Sequence, residues 1–137
     1  MTTLADRSIA VLRATHDDLA ALVRGLTDEQ LTGPSGASEW TVAQVLSHLG
    51  SGAEIGLATL GTALAAGPAA EPGFNQSVWD RWNAMSPREQ ADGFLDHDGR
   101  LVAAFEACPP SSARRCRSIR AVASCPHCRS RRSPACA

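Results

Sequence analysis

Four histidines, five cysteines and 14 acidic side chains supply the groups that could do metal, thiol or acid–base chemistry in this 137-residue chain. His48 lies at the margin of an apolar helical stripe, about one turn from Val45 and Gly52. Taken alone, a histidine in that register reads as a satisfied, half-buried side chain. His16 and Asp98 occupy otherwise apolar registers, where they sit at a solvated edge or line a pocket beside His48. His97 falls off its stripe and is expected to be exposed. Trp40, Trp79 and Trp82 read as core or end-cap anchors rather than stacking platforms for bases. Cys125-Pro-His-Cys128 with Cys116 and Cys136, at spacings of eight, two and seven residues, reads as a candidate zinc knuckle. Only one C-x-x-C pair is present, and its redox use would require a neighbouring βαβ pattern that is absent. The chain has no glycine-rich phosphate loop and no nucleophile elbow, and Ser35 has no obvious base partner.

The elements that must position these groups are helical. Ile9, Leu12, His16, Leu19, Val23 and Leu26 recur at steps of three and four, predicting a helix from about Leu4 to Gly25. Thr27 to Leu31 forms a short capped turn, broken by Gly33-Pro34-Ser35-Gly36. Thr41 with Gln44 makes a capping box that opens a second long helix. Its stripe is Val42, Val45, Leu46, Leu49, Ala53, Leu57, Leu60 and Leu64, and Gly67-Pro68 ends it. Residues 69–76 read as loop, and Val78 to Trp82 as a short helix with two large anchors. Ser86-Pro87-Arg88-Glu89 combines an N-cap serine, proline at the first helical position and a capping-box glutamate. The third long helix carries Ala91, Phe94, Leu95, Leu101, Val102 and Phe105, and Cys108-Pro109-Pro110 stops it. No β-type alternation of useful length occurs, so the expected fold is all-α, an up-and-down bundle of three long helices that lacks a fourth.

Charge divides the chain near Cys108. Residues 1–107 hold six arginines against all 14 acids, a net charge of −8, whereas residues 108–137 hold seven arginines and no acid. That last segment contains every cysteine, half the prolines and no leucine. It shows no apolar periodicity, so it is expected to be disordered. Its vocabulary is that of GC-rich coding sequence translated out of frame; the rival reading is zinc or nucleic-acid binding through its cysteines and arginines. The longest uncharged stretch, 55–70, is shorter than the roughly 20 apolar residues that span a bilayer, and glycines interrupt it. The N-terminus lacks the pattern of a secretory signal, so a cytoplasmic protein without a membrane partner is expected.

Leu26-Thr-Asp-Glu-Gln-Leu31, Pro34-Ser35 and Glu39-Trp40-Thr41-Val42-Ala43-Gln44-Val45-Leu46-Ser47-His48-Leu49 together resemble the metal-binding domain of the mycothiol-dependent maleylpyruvate isomerase family, one of the DinB-like four-helix bundles. The resemblance covers about residues 3–107 and includes the Asn75-to-Trp82 segment. It implies a divalent metal, zinc by preference, held by a histidine of the second helix and a Glu-x-x-x-His pair of the fourth. It also implies mycothiol, whose thiol would ionise on the metal and add to an electrophilic substrate. His48 matches the second-helix ligand, whereas no glutamate follows Glu106 and Ala123 stands four residues before His127. The expectation is therefore an incomplete metal-binding domain over 1–107, with His48 as its ligand, Trp40, His16 and Asp98 near it, and impaired isomerase or thiol-transferase activity. The rival is a non-catalytic helical module whose uncovered face pairs in a homodimer.

Overall fold

The computed structural model of the chain describes residues 2–37 and 39–108. The cysteine-rich candidates Cys116, Cys125, Cys128 and Cys136 lie outside the described residues. Five helices follow one another: α1 Leu4–Arg24, α2 Asp28–Thr32, α3 Val42–Ala65, α4 Phe74–Asn83 and α5 Pro87–Glu106. All-α architecture is thus observed, in a helical bundle consistent with the expected DinB-like kind, with no strand among the described residues.

Local chemistry sets most of the boundaries. Thr3 with Asp6, Thr27 with Gln30, Thr41 with Gln44 and Ser86 with Glu89 each form a reciprocal capping box, satisfying amides that a helix start leaves unpaired. α4 begins differently. It starts at Phe74, earlier than the Val78 expected, after Gly73 at φ 90°, with no side-chain cap. α3 ends at Ala65 because Ala66 adopts a left-handed φ of 51°, letting the Gly67 amide donate to the Thr62 carbonyl at 3.0 Å. Gly25 caps α1 in a right-handed conformation, so glycine's special freedom is not used there.

Helix directions follow from which residues meet. Arg13 pairs with Glu106, His16 with Asp98, and Arg88 with the Leu26 carbonyl, so α1 runs antiparallel to α5. Gly50 abuts Phe94 and Gly56 abuts Leu101, so α3 and α5 run parallel. The crossover through residues 66–86, with α4 inside it, carries the chain back to the starting end. Up-and-down alternation therefore describes α1 against its neighbours, and the crossover governs the α3–α5 pair.

Two cores result. Val23, Leu31, Ala43, Leu46, Ala91 and Phe94 join α1, α2, α3 and α5 at one end. Ile55, Val78 and Trp82, backed by Phe74, Trp79 and Met85, seat α4 against α3. Trp82 is fully buried, its ring tip wedged between the backbones of α3 and α5. A Cβ at Gly50 would lie 2.2 Å from its Cη2, and one at Gly93 would lie 2.9 Å from the same atom. Gly50 is thus explained by a close helix approach. The apolar stripes are incompletely covered: Leu12 is 45% exposed, and Leu49 and Leu64 are each 41% exposed.

Candidate functional site

The segment that leads into α3 places Trp40 and His48 together. Gly33 and Thr41 bracket a loop closed by the Pro34–Thr41 bridge and by the Val42 amide donating to the Gly33 carbonyl at 3.1 Å. Within it the Trp40 carbonyl accepts from the Ser35 amide at 3.0 Å and from the Ser35 hydroxyl at 2.7 Å. Ser35 is thereby a loop-fastening residue. With its backbone held, Trp40 meets the His48 ring edge-on, centroids 5.5 Å apart and planes inclined by 66°. His48 is exposed, two turns into α3, and Trp40 is 41% exposed. Neither is a core residue. An imidazole in that position is open to a ligand and sterically steadied by its aromatic neighbour.

His16 and Asp98 form a second pair, on the seam between α1 and α5. His16 is buried in the middle of α1, not at a helix end or a solvated edge. Its Nδ1 lies 2.6 Å from Asp98 Oδ2, and because a carboxylate only accepts, the ring donates. Gly99 leaves room for the other side of the ring, since a Cβ there would stand 3.2 Å from His16 Nε2. Arg13 clamps Glu106 with two bonds of 2.9 and 2.7 Å at one end of this seam, and those bonds lower the Glu106 pKa below the ordinary carboxylate range. Arg88 holds Asp28 and the Leu26 carbonyl, each at 2.9 Å, at the other end. His16–Asp98 is the middle rung of a polar ladder. Among the described residues no hydrogen bond or ring contact joins it to the Trp40–His48 pair.

A third cluster was not foreseen. Glu54 Oε2 accepts from the indole Nε1–H of Trp82 at 2.7 Å, and its other oxygen pairs with Arg81. His97 is half-buried rather than exposed: Nδ1 donates to the Gly93 carbonyl at 3.0 Å, Nε2 lies 3.5 Å from Glu54, and the ring sits edge-on to Trp82. Burial disfavours the Glu54 carboxylate, but the bonds from Trp82 and Arg81 together outweigh it and hold its pKa below the ordinary range. This cluster pins α4 to α3 and α5. The hint in the sequence was a buried-type tryptophan, whose N–H needs an acceptor, but nothing local named Glu54 as that acceptor.

A divalent ion needs three or four ligands from a compact set. Among the described residues no group of three or more His, Cys, Asp or Glu side chains is arranged to hold one. The residues described thus do not fit a closed metal site; they offer His48 alone at the position expected for a ligand. No helix among them is long and apolar enough to cross a membrane.

Comparison with known proteins places the chain. An uncharacterised protein of Mycobacterium tuberculosis is 36% identical over 110 residues, covering 74% of this chain and 42% of the relative. A proposed metal-dependent hydrolase of Geobacillus kaustophilus is 40% identical over 72 residues, covering 52% of this chain and 40% of the relative. The chain spans about two fifths of the length of these curated relatives. No solved structure matches it. The model of the mycothiol maleylpyruvate isomerase N-terminal domain matches residues 12–129, and that span runs past Cys108. With most of its length matched, and with the helices and the Trp40–His48 pair as described, the chain belongs to the mycothiol maleylpyruvate isomerase N-terminal domain family.

Proposed function

We propose that this chain is a metal-binding family member of impaired activity, in which His48 keeps the ligand position of α3 while the described residues gather no set of three ligands around it. The observation that carries this reading is the placement of His48: exposed, edge-on to Trp40, and outside both cores. A histidine serving only to fill space would be expected inside the bundle. The partners on this reading are a divalent cation such as zinc, a small-molecule thiol of the mycothiol class and an electrophilic substrate, in the cytoplasm. The relatives named for metal-dependent hydrolysis support the metal and leave the reaction class open. One imidazole binds such an ion weakly, so firm binding would need ligands from outside the described residues.

Zinc titration of the full chain, followed by calorimetry and by tryptophan emission, tests the reading. The expected result is weak binding that His48→Ala abolishes, with no measurable isomerisation of maleylpyruvate in the presence of mycothiol. Tight stoichiometric binding that survives His48→Ala would overturn it. Loss of that binding in Cys125→Ser/Cys128→Ser would assign the site to the cysteine cluster instead.

A second reading is favoured by the uncovered apolar face. Val11 is 65% exposed and Leu22 is 62% exposed, eleven residues and so about three turns apart on α1, and Leu12 and Leu49 are exposed as well. Covering such side chains with a second copy would contribute roughly 25 cal/mol per Å² buried. On this reading the chain is a helical module that forms a homodimer, and a monomeric mass by sedimentation equilibrium at micromolar concentration would exclude it.

A further inference from the structure

The C-terminal half of α3, the 66–73 loop and the first turns of α4 line an open, solvent-facing cavity of about 680 Å³, within the roughly 300–1,000 Å³ of small-molecule sites. None of His16, Trp40, His48 or Asp98 lines it. Ile55, Phe74 and Trp79 give it apolar and aromatic walls. Its polar lining is biased toward acceptors. The Thr59 hydroxyl donates to the Ile55 carbonyl at 2.9 Å and the Thr62 hydroxyl to the Ala58 carbonyl at 3.0 Å, leaving both oxygens only lone pairs to offer. Asn75 and Gln76 are neutral amides, and Glu71 is the one charged side chain among the lining residues. The last turn of α3 and the first turn of α4 both border the cavity, so their opposed terminal half-charges offset one another. Glu71 is left to set the sign.

We infer that this cavity binds an apolar amine, its ammonium directed to Glu71 and the threonine oxygens, its hydrocarbon or aryl body against Phe74 and Trp79. A carboxylate of the same shape would meet Glu71 with like charge. The inference stands apart from the metal reading, since it uses none of the residues around His48.

Isothermal titration of the full chain with phenylbutylamine, phenylbutanol and phenylbutyrate, three ligands of one shape and different charge, tests it. The amine should bind about five-fold tighter than the alcohol, as a partly exposed ion pair allows, and the carboxylate weakest. Glu71→Gln, on an exposed loop, should bring the amine to the level of the alcohol without altering the melting temperature. Trp79→Leu should weaken all three, with thermal unfolding recorded to separate lost binding from lost fold. Equal affinities, preference for the carboxylate, amine binding unchanged in Glu71→Gln, or no binding of any of the three would overturn the inference.

Discussion

Replacing Gly50 by alanine sets a favourable helix term against an unfavourable packing term at one atom. In an unconstrained helix the change stabilises by about 1 kcal/mol. Gly52, two residues along α3, is exposed, and a Cβ there would meet nothing within 4 Å, so Gly52→Ala should show that gain in full. At Gly50 the new methyl would lie 2.2 and 2.5 Å from Cη2 and Cζ3 of Trp82 and 3.1 Å from Phe94 Cα. Trp82 has no easy retreat. Gly93 backs its far side, and Glu54 holds its indole nitrogen at 2.7 Å. Overpacking a core typically costs about 1–3 kcal/mol, and a ring trapped between two backbones belongs at the upper end. The net expectation is a loss of about 2 kcal/mol for Gly50→Ala, hence a gap of about 3 kcal/mol between the two variants. For a domain of this size that loss lowers the melting temperature by roughly 7–9 °C. Urea unfolding followed by far-ultraviolet circular dichroism measures both. A Trp82→Phe background, whose smaller ring vacates the slot, should shrink the Gly50→Ala penalty by at least about 1 kcal/mol in a double-mutant cycle. If Gly50→Ala proved as stable as Gly52→Ala, the wedge that ties α3 to α5 would not exist as described.

The Glu54 cluster and the end of α3 give two further expectations. Because the folded pKa of Glu54 is depressed, its contribution to stability is present above the unfolded carboxylate value and lost as pH falls through the lower folded value. Glu54→Gln should therefore unfold about 1–2 kcal/mol more easily at pH 7, yet lose less stability than the parent between pH 5 and about pH 3. Parallel slopes in acid titrations of the two proteins would refute that assignment. Ala66 holds a left-handed φ of 51°, a conformation that costs a residue with a Cβ roughly 1 kcal/mol. Ala66→Gly should accordingly raise stability by up to that amount despite glycine's greater unfolded-state entropy, and a drop of the melting temperature would count against it.

Much of the candidate site was legible because it is local. Trp40, the Thr41 cap and His48 lie in one short run, and a helix begun at Thr41 carries His48 two turns onward whatever the rest of the chain does. His97 was misplaced because its partners, Glu54 and Trp82, come from other helices. His16 was assigned to an otherwise apolar register, but its hydrogen-bond partner Asp98 lies 82 residues away in sequence. Leu12 and Leu49 follow the helical period yet remain exposed, since periodicity marks the side chains that could be covered and not whether a neighbour covers them.

What the sequence alone determined is helix identity and most helix starts: three of the four capping boxes, a proline at the first position of α5 and steps of three and four were legible because they act within one or two turns, whereas the Thr3–Asp6 box was seen only in the structure. The tertiary structure decided which faces meet. The parallel course of α3 and α5, the slot that Gly50 and Gly93 open for Trp82, and the carboxylate that takes the indole proton all depend on how the 66–86 crossover returns the chain. Capping energies are set by neighbours three or four residues apart, whereas close packing is set by surfaces that only the completed path brings together.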